Sequence, residues 1–524
     1  TVYDPAKAQA APGAKPFDWD VGEVIATNPA DMTLDLRRRV DEPHPEAIVP
    51  LGYLRTQDHQ RVLVDLAEWV LAHGLDAPGP YRAARDLLLR RPPRVGQRAL
   101  EPLVRPGESE LVAARRLALA LDHTTLAIQG PPGSGKTYSG ARMICTLLAA
   151  GKRVGITSNS HKVIGNLVKA VIAAADDPTA DGVDVRVVQK TTARDQAVVH
   201  DRVTRAKDTA DTRARLDDGR ANLAAGTSWL WASSRMADAV DVLFVDEAGQ
   251  FSLANVLAMS AATRSIVLLG DPQQLDQPLR GAHPPGAGRS ALAHVLGDLA
   301  TMPPDHGLFL ETTWRLHPEL CRYTSEVFYD GRLDPEPHLA SQLLRAGPSV
   351  DGVGVRFHQV PTDGSYDNES PVEADVVARL ARSLVEGGAT WIDPGGAERP
   401  ITWDDILIVA PYNAQVGAIA RRLPLEARVG TVDKFQGQEA PISIYSMTTS
   451  APELAPRGMD FLYSRNRLNV ATSRARCVAV VAASPDLLRV RARTPGQMRL
   501  ANALCRFVEM ASDRTPAAPV TAVS

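Results

Sequence analysis

The chain has 524 residues, 44% of them hydrophobic, which allows roughly three or four domains with sizeable cores. With 58 Lys and Arg against 61 Asp and Glu, the net charge of −3 excludes a global basic footprint, so any nucleic-acid contact must be a local groove. The four cysteines (Cys145, Cys321, Cys477, Cys505) form no C-x-x-C pair, which argues against a zinc site or disulfide framework and fits a reducing cytoplasm.

Along the chain, residues 1–16 are rich in Ala, Pro and Lys and read as disordered. Two alternating runs, 21–27 and 32–36, flank Asn28-Pro29-Ala30-Asp31 and predict a β-hairpin. From 56 to 89 the apolar spacing is helical, with Leu63, Leu66, Trp69 and Val70 on one face, and 112–121 is a further helix. Thr124-Thr125-Leu126-Ala127-Ile128 reads as a short buried strand, and 138–150 as a helix. No apolar run approaches ~18 residues, so no membrane span is expected, and no signal peptide is visible. The first residue is Thr1, which points to a piece of something longer.

Between that strand and helix lies Gly130-Pro131-Pro132-Gly133-Ser134-Gly135-Lys136-Thr137, which fits G-x-x-x-x-G-K-[ST]. Glycines let successive backbone N–H groups converge on phosphate oxygens. Lys136 supplies a positive charge for the β/γ-phosphates, and the Thr137 hydroxyl can ligate Mg²⁺. The helix N-terminus then faces the anion. A nucleoside triphosphate is therefore expected, with Mg²⁺.

Further buried runs follow at 153–157, 242–245 and 266–269, as a parallel sheet requires. A charged stretch, about 185–222, interrupts them and reads as a helical insertion. The second of these runs ends in Asp246-Glu247-Ala248-Gly249-Gln250. A carboxylate there suits the second Mg²⁺ anchor (Asp246), with Glu247 placed to orient or deprotonate the attacking water. Taken alone, the pair would equally be a helix cap. The third run ends in Gly270-Asp271-Pro272-Gln273-Gln274-Leu275, polar groups able to sense a γ-phosphate. A second α/β set begins later, with runs at 406–409, 442–445 and 478–481. Arg315 and Arg474 sit in segments where a second domain could reach across a cleft.

The order of motifs resembles superfamily 1B helicases of the Upf and senataxin type. The matching segments are 130–137, Thr157-Ser158-Asn159-Ser160, 246–250, 270–275, Trp314-Arg315-Leu316-His317-Pro318, 431–439 and 467–476, with 328–333 and 410–416 between them. The resemblance covers about 98–510. It implies two tandem RecA-like P-loop domains with parallel sheets, at 98–300 and 301–512, and small accessory parts. Residues 1–97 would be a reduced accessory hairpin or barrel and helical stalk, 185–222 the second accessory insertion, and 513–524 a flexible tail. It also implies roles. Lys136, Asp246, Glu247, Gln274, Arg315 and Arg474 would be catalytic, the two arginines as fingers. Gly130 to Thr137, Gln250, Trp314 and Glu439 would hold or sense ATP, Trp314 standing where the family stacks Tyr on adenine. Ser158, Asn159, Thr227 and Thr431 would touch single-stranded DNA or RNA. A glutamine that usually reads adenine is replaced here by Ala113.

The function expected is an NTP-dependent helicase translocating 5′→3′ on single strands. One rival is a nucleic-acid-stimulated motor or remodeller without unwinding. Another is a motor serving a RecB-like nuclease outside this chain, since no Lys here has Glu two residues before it. An inactive scaffold is disfavoured because Lys136, Asp246, Glu247, Arg315 and Arg474 are all present.

Overall fold

The computed structural model describes residues 2–3, 20–28, 33–37, 49–50, 56–96, 101–177, 182–191, 196–277, 284, 286–347, 350–361, 364–435 and 437–512. The expected tail, most of 1–16, the hairpin turn at 29–32 and Gln436 lie outside them. Two parallel sheets dominate. The first contains β1 (Thr125–Gln129), β2 (Val154–Thr157), β3 (Val187–Gln189), β4 (Val203–Arg205), β5 (Leu223–Ala225), β6 (Val240–Asp246), β7 (Thr263–Gly270) and β8 (Gly307–Phe309). Their order is β8-β1-β7-β6-β2-β5-β3-β4. The second contains β9 (Gly354–Gln359), β10 (Ile406–Ala410), β11 (Arg428–Thr431), β12 (Ala440–Ser446) and β13 (Ala475–Ala483), in the order β9-β13-β12-β10-β11.

Both faces of each sheet are covered, so the central strands are apolar at nearly every position instead of alternating. β7 lies between β1 and β6, with Gly270 level with Gln129 and Leu269 level with Asp246. The loops leaving these three strands therefore converge at one point of the sheet edge. That convergence builds the site.

One hydrophobic cluster joins the two sheets. It runs from Leu243 and Leu268 through Tyr323, Phe328 and Phe507 to Tyr445 and Ala479. Tyr323 meets Phe328 and Phe507 edge-on, at 5.7 and 5.1 Å between ring centroids. Each such buried ring contributes about 1.5–3 kcal/mol by area alone. The halves are thus held by a real core, and only their facing edges are polar.

Two expectations are corrected by the strands. The 185–222 stretch is not simply a helical insertion: β3 and β4 extend the first sheet beside β5, and among its described residues the α-helix is Thr209–Asp217. The first sheet also continues past 300, because β8 pairs with β1. The buried Gln129 side chain fixes that return, donating to the Ala300 carbonyl and accepting from Met302 N–H. Within the helical region 56–89 there are two helices, Gln57–His73 and Arg82–Leu88. Gly74, at φ 85, ends the first helix, and Arg85 gathers the carbonyls of Leu75, Ala77, Gly79 and Pro80 in between. The N-terminal hairpin pairs Asp20–Asn28 with Thr33–Arg37 in a four-stranded antiparallel sheet. Leu66 of the first helix packs in the main core with Leu253 and Leu257.

In the second half, Glu373 is buried at 1% exposure on the helix Pro371–Val385. Its carboxyl accepts from Thr448 N–H at 2.6 Å and from the Ser446 hydroxyl, fixing Thr448 at φ 72 just beyond β12. Burial pushes its pKa up from 4.5 to about 7 despite these bonds. A folded-state value above the unfolded one means a contribution whole below about pH 4.5 and lost by about pH 7. Its size is on the order of 3 kcal/mol. Glu373→Gln is therefore expected to flatten the fall in stability between pH 5 and 8. Denaturation midpoints of both proteins at the two pH values check this, and parallel slopes would refute it.

Candidate nucleotide site and interdomain junction

The loop after β1 turns through Gly133 (φ 74) and Gly135 (φ 79) directly into the helix Lys136–Ala149. Side chains have no room there. A Cβ at Gly130 would lie 2.1 Å from Lys136 Cγ, and one at Gly133 would lie 2.5 Å from Arg315 Cβ. The Lys136 ammonium donates to the Gly130 carbonyl, and burial in the loop floor lowers its pKa against the pull of Asp271, Glu247 and Asp246. The Ser134 hydroxyl is buried and has no hydrogen-bond partner. Thr137 occupies the first helical turn.

β6 delivers Asp246 at 5% exposure. Burial first, and Glu247 second, raise its pKa to about 7, although it accepts from Glu247 N–H at 2.9 Å. Glu247 itself takes φ 56, the left-handed region, at a strain cost of about 1–3 kcal/mol. The next turn is packed backbone on backbone: a Cβ on Gly249 would meet the Asp271 carbonyl at 2.6 Å. The P-loop start is pinned to the same place by Gly130 N–H to Gly270 O, 2.9 Å.

The loop after β7 carries the junction. Asp271, 3% exposed, accepts from Gln274 Nε2 at 2.8 Å and from the Tyr329 hydroxyl at 2.6 Å. Asn469, on the helix Arg465–Ser473, donates to Tyr329 Oη and to the Gln273 carbonyl, both at 2.9 Å. Arg474 follows that helix and donates to Gln274 Oε1 at 3.1 Å. Burial lowers the Arg474 pKa to about 10, with Arg315 adding to the shift, and its Nε–H is buried without a partner. At neutral pH it remains a cation with a free donor. Arg315 pairs with Glu439, which also pairs with Arg476. Burial works against the Glu439 charge, yet the two guanidiniums hold its pKa below the ordinary value. Gln274 is thus gripped from one side by Asp271 and from the other by Arg474. Asp271, Tyr329 and Asn469 were not singled out from sequence, although each lies in a segment named for the resemblance.

The segment after β8 closes the P-loop from above. Trp314 N–H donates to Gly133 O at 2.9 Å, and Thr313 Oγ1 donates to Pro132 O at 2.8 Å. Beside it opens a cleft of about 690 Å³ lined by Ser109, Glu110, Ser134, Tyr138, Glu311, Trp314 and Glu336, among others. Trp314 is 59% exposed and offers a free aromatic face. Among the expected strand contacts, Asn159 donates to the Gln250 carbonyl at 2.8 Å, tying the end of β2 to the end of β6. Thr227 and Thr431 are part-exposed at strand ends, whereas Ser158 is wholly buried and offers no side-chain surface.

These residues fit a nucleoside triphosphate with Mg²⁺. The cramped glycines, the orphaned Ser134 hydroxyl and the free Arg474 N–H all suit phosphate oxygens. Thr137 and Asp246 would hold the cation, which usually takes one or two protein ligands and otherwise phosphates and water. No cluster of three or more His, Cys, Asp or Glu occurs among the described residues, as that mode allows. Among them also, no helix is long and apolar enough to cross a membrane.

Residues 111–284 match the family AAA_30, an AAA domain, and 291–486 match AAA_12, an AAA domain. The chain is 24% identical over 423 residues to the DNA polymerase alpha-associated DNA helicase A of Schizosaccharomyces pombe, covering 69% of this chain and 61% of that protein. The chain is thus similar to superfamily 1 helicases across both matched domains. Other relatives include the rat DNA-binding protein SMUBP-2, 25% identical over 71% of this chain and 42% of the relative. The S. pombe DNA replication ATP-dependent helicase/nuclease dna2 is 25% identical over 77% of this chain and 30% of its own length. The chain therefore spans less than two thirds of each of these curated relatives. Among solved structures, the arterivirus nonstructural protein 10 helicase with DNA aligns at TM-score 0.37 and 16% identity, over 69% of this chain and 60% of that one.

Proposed function

We propose that this chain is an NTP-driven motor that translocates on single-stranded nucleic acid and unwinds duplexes, with 5′→3′ polarity. The observation that carries the reading is the position of Gln274, bonded to Asp271 beside the P-loop and to Arg474 of the second half. A γ-phosphate at Lys136 can reorder those bonds. Each is worth on the order of 1 kcal/mol net, so a bound triphosphate has ample free energy to open or close the junction.

In the reaction, Lys136 holds the β/γ-phosphates, Glu247 orients the attacking water and receives its proton, and Arg474 and Arg315 stabilise the charge that develops on the transferred phosphoryl group. Thr137 and Asp246 would hold Mg²⁺, which would supply charge neutralisation for the phosphates when bound. Arg315 must leave or share Glu439 to reach that oxygen, which makes the Arg315–Glu439–Arg476 set a candidate gate. Asn159 joins the Gln250 backbone to a surface loop, a short route between nucleotide and strand. Asn159, Thr227 and Thr431 would contact the strand backbone, giving salt-sensitive and sequence-tolerant binding.

The test is NTP hydrolysis with and without single-stranded DNA or RNA, followed by displacement of duplexes carrying a 5′ or a 3′ overhang. Strong stimulation and displacement only from the 5′ overhang are expected. Stimulation without displacement would replace the helicase by a remodelling motor, and no stimulation by either polymer would overturn the reading.

A further inference from the structure

We propose that Glu110 sets base preference in the nucleotide cleft, so that this chain uses GTP at least as well as ATP. The inference rests on reading that cleft as the nucleotide site. Ala113, where an adenine-reading glutamine would be expected, is fully buried in the helix Glu110–Ala120 and faces the core. Two residues of that helix line the cleft, Glu110 and Leu111, and of these only Glu110, one turn before Ala113, carries a group able to read a base edge. Its carboxylate has no hydrogen-bond or ion-pair partner among the described residues. Glu311 and Glu336 line the same cleft, but Glu311 is held by Arg332 at 2.8 Å. Ser134, buried at 7% exposure with its hydroxyl unpartnered, opens onto the cleft and marks its phosphate end. Trp314 gives the stacking face, which does not distinguish bases.

The edge chemistry then decides. An ionised carboxylate only accepts hydrogen bonds. Adenine presents one donor, the N6 amino group, next to an acceptor, N1, so a carboxylate opposite that edge meets one acceptor unfavourably. Guanine presents two adjacent donors, N1–H and the N2 amino group, and both oxygens of a carboxylate are satisfied at once. A glutamine amide, with one donor and one acceptor, has the opposite preference.

The experiment is kcat/KM for GTP and ATP, at saturating single strand, for the wild type, Glu110→Gln and Glu336→Gln. The wild type is expected to give a GTP:ATP ratio of one or more, and Glu110→Gln to lower that ratio about tenfold in favour of ATP. A residue serving only the helix N-terminus would change both nucleotides alike. A wild type preferring ATP by tenfold or more overturns the inference and leaves the motor intact. A ratio moved only by Glu336→Gln also overturns it. A wild type hydrolysing neither nucleotide would instead remove the functional reading beneath it.

Discussion

Lys136→Ala is expected to abolish NTP hydrolysis, by about 10³-fold or more, while single-strand binding stays near the wild-type level. The ammonium sits on the Gly130 carbonyl inside a loop whose glycines leave no space for a substitute group. On the proposed reading it supplies the positive charge for the β/γ-phosphates. Arg315 and Arg474 come from the far side of the junction and are engaged with Glu439 and Gln274. Alanine also removes the Gly130 carbonyl's partner, but the loop remains anchored by Gly130 N–H to Gly270 and by Trp314 N–H to Gly133. The strand contacts proposed for Asn159, Thr227 and Thr431 belong to other loops. Phosphate release and fluorescence anisotropy with a labelled oligonucleotide separate the two effects. Wild-type-like turnover would remove the assignment of the loop.

Much of this was legible because buried parallel strands write themselves as unbroken apolar runs: β1, β6, β7, β10, β12 and β13 all lie on such runs. The P-loop was legible because its backbone demands glycine at fixed spacing. The helix behind it begins at Lys136, earlier than apolar periodicity suggests, since the polar Lys136 and Thr137 form its first turn. The 185–222 segment was misread for the converse reason. β3, β4 and β5 are three residues long, and β4 shows side chains to solvent, so a charged context hides them. β8, also three residues long, moved the domain junction in the same way. The junction's lock could not be read at all. Tyr329 meets Asp271 across 58 residues of sequence and Asn469 across 140, and spacing carries no signal at such separations. Ser158 shows the limit of residue type: a hydroxyl beside Asn159 invites a surface role, yet just past the end of β2 the side chain is fully buried.

Glu247→Gln is expected to cut hydrolysis by roughly 10²–10⁴-fold while trapping bound NTP and tightening single-strand binding. Glu247 is held in the left-handed region at φ 56 by the backbone packing of Gly249 against Asp271, so its side chain is aimed by strain and not by a partner. Glutamine has the same shape and keeps that aim, so the fold and the phosphate contacts survive. What is lost is a carboxylate able to orient water and accept its proton. The same change removes a negative charge that helps raise the Asp246 pKa, so Asp246 ionises more readily and the cation is held at least as well. Hydrolysis stops but binding does not. The protein then accumulates with triphosphate at Lys136 and with Gln274 and Arg474 drawn onto it. If that junction state grips the strand more tightly, the affinity gain should fall in the 5–150-fold range usual for coupled sites. Nucleotide retained on a filter after single turnover, and strand affinity measured with and without NTP, give both readouts. Hydrolysis unchanged in the variant would refute the water-activating role, and trapped nucleotide without tighter strand binding would break the link between the Gln274–Arg474 junction and the nucleic-acid groove.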